Sequence, residues 1–177
     1  MNKTFLIILI LIIFAGGFLA IKFFKPSDQK EKSQQNKEET LFGNLSGIKF
    51  FGEKGENVVL ENGEVKLDSL IFDDNKARFY NVKMPNDKII YFFVVKDKNG
   101  IYRAAANACA VCFKTYKGFR QEGDEIVCNN CGNRYPIEKI ATEKGGCNPG
   151  PINPNLEIRN GQIVIKQVDI EQVFGLF

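Results

Sequence analysis

Two pairs of closely spaced cysteines constrain this chain more than any other feature. Cys109 and Cys112 are separated by two residues, fifteen residues follow, and Cys128 and Cys131 repeat the same spacing. A two-residue gap lets one turn direct two sulfur atoms at one metal ion or cluster, and two such turns side by side supply four thiolates. The pattern therefore predicts a fold in which these two turns lie next to each other.

Four thiolates can hold several kinds of centre, and the spacing alone does not choose among them. They can bind zinc in a ribbon that staples the fold, one iron ion, or an iron–sulfur cluster. Two disulfides are another alternative outside the cytoplasm, although closing so short a loop adds little stability. A thioredoxin-type dithiol site would need one pair at the start of a helix after a strand, whereas both pairs here lie in turn-rich sequence.

The fifth cysteine, Cys147, lies between Gly145-Gly146 and Asn148-Pro149. The glycines and the proline predict a tight turn that can approach a metal site closely. Cys147 is therefore a further candidate ligand, and the other interpretations are a thiol beside the ligands or a plain buried cysteine. Gly132, directly after the second pair, predicts a turn whose backbone amides point at sulfur. Six cations can offset the charge of such a centre or simply be solvated: Lys114, Lys117, Arg120, Arg134, Lys139 and Lys144.

Composition excludes several other kinds of site. The 177 residues include no histidine, which removes Ser–His–Asp and Cys–His catalysis, mixed cysteine–histidine zinc sites and histidine-ligated haem. The formal net charge is +3 with the two signs interspersed, so there is no basic stripe and we expect no nucleic-acid partner. The sequence shows no set of residues suited to acid–base catalysis. A redox carrier or metal-binding protein is therefore favoured over an enzyme that turns over a substrate.

The amino-terminal region predicts a membrane anchor. Residues Phe5–Ile21 carry no charge and, with the apolar residues that follow, are long enough to span a bilayer as a helix. We therefore predict one transmembrane helix within residues 1–25, with a cleaved signal peptide as the alternative. Residues 26–40 are polar and predict a flexible linker, which leaves residues 41–177 as the soluble domain.

The sequence of residues 41–177 predicts a mainly β domain. The runs Ile89–Val95 and Ile163–Val168 are rich in β-branched and aromatic residues, as buried strands are. Asn-Gly between alternating apolar runs is a strong hairpin signal, and it occurs at Asn62-Gly63, Asn99-Gly100 and Asn160-Gly161. We predict a small antiparallel sandwich or barrel that carries the two cysteine loops. Only the tail, Asp169–Phe177, predicts a helix, with Asp169 as its N-cap.

The motifs around the cysteines support a family resemblance. They are Arg103-Ala-Ala-Ala-Asn-Ala-Cys109-x2-Cys112, Glu122-Gly-Asp, Val127-Cys128-x2-Cys131-Gly132 and Gly145-Gly-Cys-Asn-Pro149. With these motifs the stretch from Lys88 to Ile165 resembles the FtrD-like membrane iron–sulfur proteins, which are associated with bacterial high-affinity iron transport around a ferrous-iron permease. The resemblance implies that a cluster, which we expect to be of the [2Fe–2S] type, is ligated by Cys109, Cys112, Cys128 and Cys131.

The resemblance also bears on location and partners. Lysines follow the apolar segment in larger number than they precede it, which by the positive-inside rule would place the domain in the cytoplasm. Many members of that family carry a multi-span membrane region, whereas this chain has one predicted span, so we expect a single-pass protein of the cell membrane. The resemblance implies instead that its soluble domain lies outside the cytoplasm. It implies electron transfer or iron handling during iron uptake, with the membrane and a separate ferrous-iron permease or another membrane redox protein as partners.

A more distant resemblance, to Rieske domains, concerns the fold. A strand, Arg-Ala, Asn-x-Cys, a fifteen-residue gap and a second ligand pair occur in the same order, and Gly150-Pro151 and the hairpin Leu156–Val164 follow. This resemblance implies a Rieske-like β domain. Rieske centres place two histidines on one iron, whereas this chain has cysteines there. The additional negative charge predicts a potential nearer the roughly −400 mV of plant-type ferredoxins.

Three functions therefore stay open from the sequence. The leading hypothesis is a membrane-anchored iron–sulfur protein for electron transfer or iron handling. The second is a zinc-stapled module that docks a membrane partner, and the third is a thiol–disulfide oxidoreductase. The first predicts iron with acid-labile sulfide, the second a colourless and redox-silent domain that chelators unfold, and the third a metal-free dithiol protein.

Overall fold

The computed structural model of this chain describes residues 49–177. None of the helices in this range is long and apolar enough to cross a membrane. The predicted anchor and linker, residues 1–25 and 26–40, lie outside the described residues, as does the start of the predicted domain up to residue 48.

The described residues form eleven strands and one short α-helix. The strands are β1 (Glu56–Val58), β2 (Glu64–Asp68), β3 (Arg78–Lys83), β4 (Ile89–Lys96), β5 (Tyr102–Cys109), β6 (Phe119–Glu122), β7 (Glu125–Cys128), β8 (Arg134–Pro136), β9 (Pro149–Asn153), β10 (Glu157–Arg159) and β11 (Gln162–Lys166). The helix is α1 (Gln167–Glu171), and four 3₁₀ turns lie at Ser69–Phe72, Phe113–Thr115, Ile137–Lys139 and Phe174–Leu176.

The strands make three sheets. A five-stranded sheet has the order β1-β3-β4-β5-β9, and two three-stranded sheets have the orders β10-β11-β2 and β6-β7-β8. Every pairing is antiparallel except that of β1 with β3, which is parallel. The prediction of a mainly β domain built from antiparallel sheets is therefore confirmed.

The inner strands β4 and β5 of the five-stranded sheet are buried on both faces. Successive side chains of a strand point to opposite faces. On β4, Phe92 and Val94 pack in one apolar cluster with the β10-β11-β2 sheet. Phe93 and Val95 pack in a second cluster with residues of β6 and β7. The result is three stacked β layers, and it explains why β4 is a continuous apolar run without polar alternation.

All three Asn-Gly turns form, but only two of them join paired strands. Asn160-Gly161 joins β10 to β11, and Asn99-Gly100 lies in the turn between β4 and β5. At Asn62-Gly63 both residues have positive φ, as a tight turn requires, yet the flanking strands β1 and β2 lie in different sheets. The predicted hairpin is therefore confined to Glu61 and Glu64, whose backbones exchange hydrogen bonds of 2.9 and 3.0 Å across the turn. Beyond them β1 pairs with β3 at the edge of the central sheet, while β2 pairs with β11.

The carboxyl-terminal helix begins earlier than predicted and ends at Glu171, and the rest of the predicted helix contains only the 3₁₀ turn Phe174–Leu176. α1 begins at Gln167 with Lys166 as N-cap, so Asp169 lies inside its first turn and is not the cap. The Asp169 carboxylate instead accepts a hydrogen bond from Asn153 Nδ2 at 2.9 Å. This contact ties the helix to β9.

A buried ion pair closes the turn between β4 and β5. Arg103 donates to Asp97 Oδ2 from Nε at 3.2 Å and from Nη2 at 2.9 Å. Asp97 Oδ1 accepts the backbone N–H groups of Asn99 and Ile101, at 2.8 and 2.9 Å. Burial alone would raise the pKa of Asp97, but these hydrogen bonds and the guanidinium hold it below its usual value. The pair fixes one end of β5, the strand that ends at Cys109.

Candidate metal centre

Three separate segments carry the five cysteines to one place. Cys109 is the last residue of β5 and Cys128 is the last residue of β7, so the first cysteine of each pair ends a strand. Cys112 and Cys131 lie in the turns that follow. Cys147 lies two positions before β9, whose first residue, Pro149, is opposite Cys109 in the pairing of β9 with β5.

The five Sγ atoms form two overlapping trios. Those of Cys109, Cys112 and Cys147 lie within 4.8 Å of one another, and so do those of Cys112, Cys128 and Cys131. Cys112 belongs to both trios, and its Sγ lies 3.9 Å from that of Cys147. All five thiols are free. The structure therefore brings the two predicted pairs together and adds Cys147 to the group.

The cysteines differ in burial. Cys109 and Cys128 are only 1% and 2% exposed, because they are part of the apolar cluster between the five-stranded sheet and β6-β7. Cys112 and Cys147 are half-buried, and Cys131 is exposed. The group thus has a buried side held by strands and an outer side held by turns.

Four of the five sulfur atoms accept hydrogen bonds from N–H groups. The backbone N–H of Cys112 donates to Cys109 Sγ at 3.1 Å, and those of Asn130 and Cys131 donate to Cys128 Sγ. Cys131 Sγ accepts the N–H of Asn133, and Cys112 Sγ accepts Asn130 Nδ2 at 3.3 Å. Such donors stabilise thiolate charge at metal sites. Gly132, where φ is +75°, lies in the turn whose backbone amides of Asn130, Cys131 and Asn133 point at sulfur, as predicted.

The pKa values of the thiols follow burial and these hydrogen bonds. Burial raises the pKa of Cys109 and of Cys147, and it raises the pKa of Cys128 to about 11. The N–H of Asn133 lowers the pKa of Cys131. A metal ion supplies the positive charge that the buried thiols otherwise lack, so metal loading displaces their protons.

We expect the metal-free chain to lose stability as pH rises from about 9 toward 11. Cys109 and Cys128 have folded pKa values above their ordinary ones, so the native state holds more protons than the unfolded state in this window. The stability that these two thiols contribute is fully present below the ordinary thiol pKa of about 8.5. It is lost as the pH rises through their pKa values in the folded protein. Thermal unfolding of reduced, chelator-treated protein between about pH 9 and pH 11 measures this loss of stability. Cys128→Ser should flatten the decline, and a midpoint independent of pH would contradict the prediction.

Two asparagines between the second pair of cysteines bind the two loops together. Asn129 donates from Nδ2 to the carbonyl of Lys117 at 2.9 Å and from its backbone to that of Gly118 at 3.0 Å. Asn130 reaches Cys112 Sγ across the gap. In the Cys-x2-Cys pattern both residues count only as spacers. The signal that could have identified them is the presence of a side-chain amide at both spacer positions.

Asn107 supports the first cysteine loop from inside the protein. It is fully buried, accepts the Phe119 N–H at 2.7 Å and donates to the Glu53 carbonyl at 2.8 Å. Gly118 packs so closely that a Cβ there would lie 2.5 Å from Asn107 Oδ1, and its φ of +62° also favours glycine. Asn107 therefore fixes the distance between β5 and the start of β6.

We expect Asn107→Ala to lower the free energy of unfolding by about 1–3 kcal/mol, because it leaves the buried Phe119 N–H without its side-chain acceptor and removes the part-buried bond to the Glu53 carbonyl. Urea denaturation of the metal-free protein measures the change. Asn57→Ala, at an exposed position of β1, is the matched control and should change stability by less than about 0.5 kcal/mol. Equal effects of the two substitutions would show that Asn107 has no special role.

Three of the six cations near the cysteines form ion pairs with carboxylates. Arg120 and Arg134 both pair with Glu122, and Arg134 also contacts Glu125 at 3.1 Å. Lys139 lies 4.0 Å from Glu143. For these three residues, the interpretation as ordinary surface charges is favoured over a role in offsetting the negative charge of the metal centre.

The donor set fits a thiolate-bound metal centre. Sulfur ligands select zinc, iron or an iron–sulfur cluster and not a hard cation such as magnesium. Histidine ligands are absent from the whole sequence. The cysteine groups can therefore hold a metal through sulfur alone.

Comparison with known proteins identifies one family. Its model, described as membrane iron–sulfur containing protein FtrD-like, matches residues 72–177, which is more than half of the chain and includes all five cysteines. No curated protein and no solved structure matches the chain. The Rieske-like arrangement therefore stays a prediction.

Proposed function

We infer that this chain, which belongs to the FtrD-like family of membrane iron–sulfur proteins, carries electrons through a two-iron cluster bound by four cysteines. The proposed ligands are Cys109, Cys112, Cys128 and Cys131. The observation that carries the proposal is the convergence of two Cys-x2-Cys turns whose four sulfur atoms all accept N–H donors. Such a cluster supplies one-electron redox chemistry when bound.

The separation of the sulfur atoms favours two metal atoms over one. A tetrahedral zinc ion with Zn–S distances near 2.3 Å holds its four sulfurs about 3.8 Å from one another. The described cysteines form two trios, and these do not merge into one compact set of four. A two-iron cluster divides its cysteine ligands between two iron atoms. It therefore fits two groups of sulfur atoms better than a single metal ion does.

The hydrogen bonds distinguish the four proposed ligands from Cys147. Each of the four accepts at least one N–H group from the loops. Within the described part of the chain, Cys147 Sγ contacts other thiols. N–H donors stabilise bound thiolates and tune cluster potentials, so the two cysteine pairs are better prepared for a cluster.

The exposed side of the cysteine group provides a route for electrons. Cys131 is exposed, and Val111, in the turn between Cys109 and Cys112, is 63% exposed. A partner that docks on these turns comes close to the ligands without displacing the core. The all-thiolate ligand set favours a low potential, around −400 mV, as in plant-type ferredoxins.

The proposed setting is the outer side of the cell membrane. We propose that residues 1–25 anchor the protein by one helix, that residues 26–40 form the linker, and that residues 41–177 form the soluble domain. The donor or acceptor would be a membrane protein of an iron-uptake system, such as a ferrous-iron permease. Family membership supports the membrane association.

Reduction of the purified protein tests the proposal. Full-length chain prepared in detergent without oxygen should absorb visible light when oxidised, bleach when dithionite is added and give an electron paramagnetic resonance signal when reduced. A protein that is colourless in both states would exclude electron transfer by a cluster.

A zinc-stapled module that docks a membrane partner is the second candidate. The trio of Cys112, Cys128 and Cys131 is compact enough to share one ion, which is the observation in its favour. It predicts unfolding by chelators without any redox response. A thiol–disulfide enzyme is less favoured, because Cys109 and Cys128 end strands and do not begin helices.

A further inference from the structure

We propose that Cys147 is a reserve ligand of the metal centre and replaces Cys112 on the metal atom that Cys109 binds. The proposal rests on the proposed function, because it presumes a cluster on the two cysteine pairs. It extends that function by giving the fifth thiol a defined exchange partner.

The fold places Cys147 at the centre by two features. The pairing of β9 with β5 sets Pro149 opposite Cys109, which brings the preceding residues of the chain to the end of β5. Gly145 and Gly146 have φ values of +92° and +58°. A Cβ at either glycine would meet nothing within 4 Å, so backbone conformation and not crowding is what favours glycine there.

The distances assign Cys147 to one side of the centre. Its Sγ belongs to the trio with Cys109 and Cys112, whereas Cys128 and Cys131 belong to the other trio. Sulfur atoms this close can bind the same metal atom. A metal atom bound by Cys109 can therefore take its second thiolate from Cys112 or from Cys147.

The elements that carry the thiols decide which ones can exchange. Cys109 and Cys128 are buried at the ends of paired strands, so their sulfur atoms are fixed. Cys112 and Cys147 are half-buried and lie in turns. Asn130 donates to Cys112, so Cys112 is the preferred ligand and Cys147 stays in reserve.

The exchange needs no oxidant or reductant. On the proposed centre, the Cys147 thiolate would replace the Cys112 thiolate as the second ligand beside Cys109. The Cys147 thiol releases its proton, and the departing Cys112 thiolate takes one up. The charge and oxidation state of the centre do not change, and the cluster is retained when Cys112 leaves.

Alanine variants of the full-length protein test the proposal by metal content. After anaerobic purification, Cys112→Ala and Cys147→Ala should each keep at least about half of the wild-type iron and sulfide, while the double variant should lose at least about fivefold. Circular dichroism checks that each variant folds, and the corresponding serine variants provide a second series. Cluster loss in Cys112→Ala equal to that in the double variant would overturn the proposal.

Alkylation provides a readout that does not depend on cluster yield. In the wild-type holoprotein, iodoacetamide should modify Cys147 at least about tenfold faster than in the Cys112→Ala holoprotein, as mass spectrometry of the peptides can show. Equal rates at Cys147 would contradict the exchange even if the cluster persists. If wild-type protein contains no iron and sulfide, the proposed function itself fails, whereas a wild-type cluster that Cys112→Ala loses refutes only the role of Cys147.

Discussion

Cys128→Ser lowers the metal content of the full-length protein by at least about tenfold. Cys128 ends β7 with its sulfur buried, and two backbone N–H groups, those of Asn130 and Cys131, point at it. A serine hydroxyl is a poor ligand for iron or zinc, and the strand fixes its position. Iron, zinc and sulfide analysis of the purified protein measures the loss.

Cys147→Ser is the matched control for this experiment. It removes a thiol from the same group of sulfur atoms, but one carried by a turn and without an N–H donor among its described contacts. We expect it to keep at least about half of the metal. Retention of metal and an unchanged spectrum in Cys128→Ser would contradict the ligand assignment, and so would loss of the metal in Cys147→Ser alone.

Arg103→Met should lower the free energy of unfolding by about 3–5 kcal/mol, because it leaves the Asp97 carboxylate buried without its cation. Asp97 is 1% exposed, and Arg103 also donates to the carbonyl of Pro154 at 2.9 Å. Denaturant unfolding of the metal-free protein near neutral pH measures the effect. Because the carboxylate has a lowered pKa, the wild-type advantage should shrink as the solution becomes acidic enough to protonate it.

Two further variants separate charge burial from general disruption. Asp97→Asn combined with Arg103→Met removes both charges and should be less destabilised than Arg103→Met alone. Lys98→Met breaks the exposed contact with Glu138 and should cost no more than about 1 kcal/mol. A cost for Arg103→Met as small as that for Lys98→Met would show that the pair does not stabilise the fold.

Local patterns predicted the parts of the fold that depend on local chemistry. The apolar run of β4 and the turns at Asn99-Gly100 and Asn160-Gly161 were predicted because residue type and backbone conformation are coupled over a few residues. The spacing of the cysteines predicted that two turns meet, and the described thiols do converge. Family resemblance supplied the iron–sulfur interpretation, which the family match supports.

Contacts between distant segments could not be predicted in the same way. β1 pairs with Tyr80 and its neighbours, more than twenty residues away, and the turn at Asn62 does not indicate this partner. The contact of Asn107 with Glu53 joins residues 54 positions apart. The position of Cys147 follows from the register of β9 against β5, which single-residue patterns do not encode.

The most direct test of the central claim is the composition of the metal centre. Full-length chain, purified in detergent without oxygen, should contain about two iron atoms and two acid-labile sulfides per polypeptide, with little zinc. One zinc per polypeptide and no sulfide would contradict the iron–sulfur function and leave the zinc-stapled module in its place.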